Sequence, residues 1–324
     1  MKAVVCKRYG GPEVLNVQNI PIPQPQKDEI LVKIEATAIT AASSIMRTGK
    51  PYFGRLFLGL TGPKMVIPGT DLAGEIIAIG KHVNRFKVGD RIVAATDVDG
   101  GAYAEYVCIK AQQVMTSIPK PMTSAEATGM MDGAMTALSF FKDVITLKKG
   151  QKILINGASG SIGTAAVQLA NYFGAEVTGV CSGKNASLVT SLGAQQVIDY
   201  KKEDFTKNNI QYDVIFDTVG KLNFKACKKA LVPNGVFLTP VLSSSIFWHL
   251  LWSNRFSSQQ LKFSATGMID KKIKQRNLEL LKEIIEAGHF KTIIDRQYSL
   301  DKIQDAHRYV DLGHKVGNVI VAMG

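Results

Sequence analysis

The sequence predicts an α/β chain of two domains, a small all-β, barrel-like domain followed by a doubly wound parallel sheet. Three observations carry this. Up to about residue 120 the chain consists of short β-branched runs separated by Gly and Pro, the pattern of a small barrel. From about Thr123 onward strand-like and helix-like segments alternate, which implies parallel strands with helices on both faces. A glycine-rich turn at 157–163 stands between an apolar strand and an amphipathic helix. The length agrees, since 324 residues at roughly 150 per domain make about two.

Taken in order, the first part offers strands at 2–7, 30–36, 73–80, 91–94 and 103–109. An apolar helix over 124–144 leads into the alternating part. The run KILIN at 152–156 is apolar throughout, as a strand covered on both faces must be. Ile162, Ala166, Leu169 and Phe173 then recur at helical spacing, one stripe of a helix that Gly174 ends. Strands follow at 176–180, 196–199, 213–217 and 236–239. A helix over 274–287 buries Leu278, Leu281 and Ile285 and stops at Gly288, and a helix near 302–310 and a strand at 316–322 finish the chain. No internal repeat is present.

Composition narrows the function classes. With 46% hydrophobic and 20% charged residues, disordered and collagen-like chains are excluded. The opening MKAVVCKRYG has no apolar core before a small-residue cleavage site, so secretion is not expected. The longest apolar stretch, 241–256, is interrupted by serines, His249, Asn254 and Arg255 and is too polar to span a bilayer. Cys6, Cys108, Cys181 and Cys227 are too widely spaced for a disulfide framework or a C-x-x-C metal knuckle, and a reducing cytoplasm is the expected compartment. The net charge of +12 raises nucleic acid, a membrane surface or a phosphorylated ligand as partners. Its cations are dispersed, and Lys271, Lys272, Lys274 and Arg276 lack interleaved aromatics, so no specific nucleic-acid site is expected.

The turn reads Ala158, Ser159, Gly160, Ser161, Ile162, Gly163, an A-x-G-x-x-G form of the dinucleotide fingerprint. Gly160 lets the backbone approach a pyrophosphate, Gly163 lets helix and strand pack closely, and the helix amino terminus supplies N–H groups. Alone, such a hexamer is equally a tight turn; inside a βαβ unit it points to a dinucleotide. At the end of the second strand an NAD enzyme places an Asp or Glu on the ribose 2′-hydroxyl. Here stand Cys181, Ser182, Gly183 and Lys184, a hydroxyl and an ammonium suited to a 2′-phosphate, so the sequence predicts NADPH. A solvated loop lysine is the other reading of Lys184.

At these residues the chain resembles the medium-chain dehydrogenase/reductase superfamily, in its zinc-free quinone oxidoreductase and enoyl reductase branch. The motifs run along nearly the whole chain: MKAVVCKRYGGPEVL at the start, IPGTDLAGEI at 67–76, FKVGDRIVA at 86–94, GAYAEYV at 101–107, INGASGSIGTAAVQLA at 155–170, GVCSGKN at 179–185 and SLGAQQVIDYKKEDF at 191–205. The resemblance implies a GroES-like β-barrel catalytic domain from 1–122 and 290–324, a Rossmann domain from 123–289, and an active site in the cleft. It also implies NADPH contacts at Ser159 to Gly163, at Ser182 and Lys184 near the 2′-phosphate, with Asn185 as a possible sharer, and at Tyr200 beside the adenosine. A tyrosine that merely covers the third strand is the alternative for Tyr200.

Zinc members of the superfamily bind a catalytic zinc through Cys, His and Cys. Those positions fall here within 40–43, at Thr70 and at Asp132, a set without enough ligands, and no four-cysteine lobe lies between Ala94 and Tyr103. The five histidines are scattered and are expected on the surface. No metal is therefore expected. Without a Lewis acid, alcohol oxidation is disfavoured relative to hydride addition to an enone, enal or quinone, whose charge goes to a delocalised oxygen. Tyr52 is the candidate proton donor, a pocket-covering loop aromatic being the other reading. Thr136 resembles the family threonine near the nicotinamide carboxamide, with helix packing as its alternative. Asp71 reads as a turn-holding residue that Arg47 neutralises. The apolar segment with Ile246, Phe247, Trp248, Leu250, Leu251, Trp252 and Phe256 is open to three roles: pocket roof, subunit interface or lipid contact. Homodimers joined through edge strands are common in the family, and 236–239 is the candidate edge. Two other functions stay in view: an NADP-binding protein with vestigial catalysis that acts through RNA or protein binding, and an alcohol dehydrogenase.

Overall fold

The computed structural model describes residues 1–243, 246, 249, 258–264 and 269–324. The strands are β1 (Lys2–Val5), β2 (Asn16–Asn19), β3 (Glu29–Ile39), β4 (Asp71–Ile79), β5 (Arg91–Ala95), β6 (Tyr106–Lys110), β7 (Met115–Ser117), β8 (Lys152–Asn156), β9 (Glu176–Cys181), β10 (Gln196–Asp199), β11 (Tyr212–Asp217), β12 (Leu231–Thr239), β13 (Gln260–Phe263), β14 (Ile294–Ser299) and β15 (Asn318–Ala322). The longer helices are α1 (Ala41–Thr48), α2 (Ser124–Met130), α3 (Gly133–Ser139), α4 (Ser161–Tyr172), α5 (Lys271–Glu286) and α6 (Ile303–Asp311). Met1–Asp132, Leu278–Glu286 and Lys291–Gly324 form one compact unit, and Gly133–Asn277 with Ala287–Phe290 form the other.

The first unit is built on β3. One edge of this 11-residue strand pairs antiparallel with β4, while β6 and β15 share the rest of its length, β6 along Glu29–Lys33 and β15 along Ala36–Ile39. Two register shifts in the β3–β4 ladder, at Leu31/Val32 and Ile34/Ala36, bend the strand so that it can serve both partners. The sheet runs β14-β15-β3-β4-β5-β7, and β1 with β2 forms a separate hairpin-like pair. Helix α6 buries Ile303, Ala306, His307 and Val310, a stripe spaced three, one and three that packs with Val4, Leu15, Ile39 and Val319.

The second unit is an all-parallel sheet in the order β10-β9-β8-β11-β12-β13. Counted from β8 this is strand order 3-2-1-4-5-6, the doubly wound arrangement that places ligands where the order reverses, between β8 and β11. The strands read apolar because both faces are covered: Ile153, Leu154 and Ile155 are fully buried.

The structure differs from the sequence reading in definite ways. The helix expected over 124–144 is broken at Asp132: α2 packs on β3, β4 and β15, while α3 packs on α4. The contact is close, since a Cβ on Gly133 would stand 2.7 Å from the Ser161 carbonyl carbon, so only glycine starts α3 there. Strands β2, β7, β13 and β14 and helix α1 are additional to those expected. The candidate dimer edge at 236–239 is not an edge: Leu238 pairs with Phe216 of β11 on one side and Lys262 of β13 on the other, and among the described residues β13 is the outermost strand. Of the apolar segment, Ile246 is buried and packs in the core with Phe224 and Phe237, whereas Phe247, Trp248, Leu250, Leu251, Trp252 and Phe256 lie outside the described residues.

Candidate cofactor site

The carboxyl end of β8 opens into the glycine turn. The N–H groups of Gly157 and Ala158 both donate to the Val180 carbonyl of β9 at 3.0 Å, and Gly160 N–H donates back to the Gly157 carbonyl at 2.9 Å, so the turn is tied to two strands. Gly160 is the N-cap of α4, and no side chain caps the helix. The amino end of α4 therefore offers its first-turn N–H groups and the positive end of its dipole to an anion.

The two glycines of the fingerprint meet different surroundings. A Cβ on Gly163 would lie 2.7 Å from the Ala158 Cα, so glycine there is a condition of helix–strand packing. A Cβ on Gly160 would meet only the Gly157 carbonyl oxygen, at an ordinary 3.4 Å. The space over Gly160 is open, a cradle that a side chain would fill. Ala158 is fully buried, Ser161 nearly so, and Ser159 and Ile162 are half-buried at the mouth of the turn.

Beside this cradle the ends of β9 and β10 come together, Cys181 paired with Asp199 and Tyr200 N–H donating to the Cys181 carbonyl at 3.2 Å. Ser182 is buried, Lys184 is exposed, and Tyr200 is 53% exposed. Asn185 Nδ2 donates to Ser159 Oγ at 3.0 Å, a bridge from the second strand's loop to the phosphate turn. Ser159, Ser182, Lys184, Asn185 and Tyr200 thus gather at one end of the parallel sheet. Burial, aided by the charge of Asp199, pushes the Cys181 thiol up to about 11, so it stays protonated and unreactive at neutral pH.

Several residues of this site escaped the sequence reading. Asp217, 1% exposed at the end of β11, accepts from Asn156 Nδ2 at 2.8 Å across the switch point. It also accepts from the N–H groups of Val219 and Gly220 at 3.1 Å and of Leu222 at 2.8 Å. Thr218 Oγ1 donates to the Asn156 carbonyl at 2.7 Å. These bonds join the ends of β8 and β11 and shape the crevice floor. The available signal was a carboxylate ending an apolar strand, VIFDTVG. Asp199 is a second such acid: its Oδ1 accepts Lys201 N–H at 3.1 Å, and Gly183 packs against its other oxygen.

Thr136 is buried in α3 at 3% exposure, within the same unit as the phosphate turn. Tyr52 belongs to the other unit. It is 66% exposed at the start of a 3₁₀ turn, with the Arg55 guanidinium 4.8 Å from its ring centre.

The expected zinc positions hold other chemistry. Thr40 caps α1, its Oγ1 accepting Ser43 N–H at 3.2 Å, and Thr70 Oγ1 donates to Asp71 Oδ2 at 3.2 Å. Burial raises the Asp132 carboxyl, and the charge of Lys315 opposes that shift. Among the described residues no three His, Cys, Asp or Glu side chains form a metal-ligand group. The hydrogen bonds of Arg47 go to the carboxyl-terminal helix α6 and to Gly10. Its guanidinium is 3% exposed, donates to Asp311 Oδ2 at 2.6 Å and to the Gly10 carbonyl at 2.6 Å, and its Nε donates to His307 Nδ1 at 3.3 Å. His307, expected at the surface, is 1% exposed, because the apolar stripe of α6 carries it inward. Burial and the Arg47 charge push its pKa down to about 3, so it is neutral.

Comparison with known proteins agrees with the motifs. Residues 26–120 match the alcohol dehydrogenase GroES-like domain and residues 192–321 the zinc-binding dehydrogenase family. The chain is 33% identical to the chloroplastic quinone-oxidoreductase QR1 of Triphysaria versicolor over 339 residues, covering 99% of this chain and 98% of that one. It is 29% identical to the chloroplastic NADPH-dependent alkenal/one oxidoreductase of Arabidopsis thaliana, over 99% of this chain and 79% of the relative. Its fold matches the Escherichia coli quinone oxidoreductase solved with NADPH at a TM-score of 0.86, with 23% identity over 99% of this chain and all of that one. Motifs, sheet order and relatives concur: the chain is an oxidoreductase of the medium-chain dehydrogenase/reductase superfamily and belongs among its quinone oxidoreductases.

Proposed function

We propose that this protein uses NADPH to reduce a quinone or an α,β-unsaturated ketone or aldehyde, without zinc. The observation that carries the reading is the grouping of Ser182, Lys184 and Asn185 with the open cradle at Gly160. The dinucleotide, when bound, supplies a hydride; the work of the chain is to hold it and to answer the charge that develops on the acceptor. The α4 amino terminus receives the pyrophosphate, Lys184 and Ser182 the 2′-phosphate, and Asn185 keeps the two loops in register. Tyr200 covers the adenosine, and Thr136 binds the carboxamide end. Tyr52 is the proposed hydroxyl donor to the acceptor oxygen, where charge accumulates during reduction.

The relatives named for quinones and alkenals support this substrate class, as does the ligand-poor set at Thr40, Thr70 and Asp132. The position of β13 as the outermost strand of the parallel sheet among the described residues supports a homodimer joined through that edge. Four free thiols, three of them buried, support a reducing compartment, the cytoplasm. Among the described residues no helix is long and apolar enough to cross a membrane.

The test is cofactor oxidation against a panel of quinones, enals and enones, with NADPH and NADH compared. Turnover with NADPH and at least one acceptor class is expected. Preference for NADH, or activity confined to simple alcohols with NAD⁺, rejects the reading.

A further inference from the structure

Between Glu35 and Asp71 the chain has no carboxylate, yet it carries Arg47, Lys50, Arg55 and Lys64. Arg47 is buried on Asp311 and takes no part at the surface. The end of β1 is fastened to this acid-free segment: Cys6 N–H donates to the Val66 carbonyl at 2.8 Å and the Tyr9 hydroxyl to the Gly59 carbonyl at 2.7 Å. That brings the exposed Lys7 and Arg8 to the same face as the exposed Lys50 and Lys64. Arg55 lies over the Tyr9 ring at 4.4 Å and donates to the Gly49 carbonyl at 3.1 Å, which pins the loop after α1 against it. Large apolar side chains point outward from the same stretch: Ile45 is 47%, Leu56 68%, Leu60 69% and Val66 50% exposed.

An apolar stretch whose own charged side chains are all cationic is matched by a surface that is both greasy and negative; the exposed Asp311, which accepts from the Ser44 hydroxyl at 2.7 Å, and the exposed Glu13 lie off it, at the α1 end. A second copy of this face is a poor partner, since an isologous contact would set these lysines against their own equivalents. We propose that this face docks on a bilayer that contains anionic lipid. Leu56, Leu60 and Val66 enter the headgroup region, and Lys7, Arg8, Lys50 and Lys64 meet lipid phosphates while their stems lie along the apolar boundary. The assignment does not depend on the redox reading, because it is read by binding.

The experiment is co-sedimentation of the full chain with vesicles of phosphatidylcholine alone and of phosphatidylcholine mixed with phosphatidylglycerol, at low and high salt. Binding to the mixed vesicles that weakens with salt is expected. Leu60→Asp and Lys64→Glu, both at exposed positions, each reduce that binding about tenfold or more, with unchanged melting curves as the control for folding. Absence of binding, equal binding to neutral vesicles, or binding unaffected by both variants overturns the proposal. So does self-association that Leu60→Asp abolishes without any vesicle binding, which would make a second copy the occupant.

Discussion

Gly160 and Gly163 stand three residues apart and answer to different constraints. The carbonyl that a Gly160 side chain would meet is at ordinary contact distance, whereas a Gly163 side chain would press into the backbone of Ala158. Gly160→Ala is therefore expected to keep stability within about 1 kcal/mol, a cap-position change only. The same variant should raise KM for NADPH about tenfold or more, since the added methyl occupies the pyrophosphate cradle, a loss of roughly 1.4 kcal/mol. Gly163→Ala is expected to lose roughly 1–3 kcal/mol of stability by overpacking, read by urea unfolding. Lys184→Ala should raise KM for NADPH about tenfold and leave KM for NADH unchanged, because an ammonium on a phosphate acts only when the phosphate is present. For Tyr52, Tyr52→Phe should lower kcat about a hundredfold if its hydroxyl supplies the proton, and full kcat refutes the role.

At the scale of elements, the stripe of α6 explains why a histidine is buried and what it costs. His307 accepts from Arg47 at Nδ1, so its own proton sits on Nε2 and the ring is neutral beside a guanidinium. Folding holds its pKa near 3, against 6.5 for the free side chain. Below pH 6.5 the unfolded chain takes up a proton that the folded chain refuses, so stability falls with pH from 6.5 toward 3, by at most about 1.4 kcal/mol per unit. His307→Gln keeps an acceptor for Arg47 and removes the titration. Urea unfolding at pH 7 and pH 5 should then show a loss about 2 kcal/mol smaller in the variant than in the parent protein. The other element-scale lesson is α2 and α3. Periodicity saw one apolar helix because both pieces are buried, and apolar content alone does not tell which sheet or helix each turn faces. The break follows from α3 having to press against the first turn of α4 at Gly133, a condition set by a distant segment.

For the whole molecule, the expectation is a zinc-free dimer. Metal analysis of purified protein should find well under one zinc per chain, and a chelator should leave turnover unchanged; about one equivalent would overturn this. Sedimentation should report twice the chain mass, with β13 as the contact. The sequence alone determined the two-part α/β architecture, the glycine turn between strand and helix, and the hydroxyl and ammonium of Ser182 and Lys184 after the second strand. Each of these rests on signals local in the chain: the alternation of apolar runs, a glycine spacing, a hydroxyl and a lysine after a strand. Only the tertiary structure decided that 236–239 is an inner strand and β13 the edge among the described residues, that Arg47 pairs with Asp311, and that Asp217 and Asn156 join β8 to β11. The partners there are 61 residues apart in one case and 264 in another, and a side chain's neighbours at such separations are set by how sheets stack and helices cross, which no local pattern encodes.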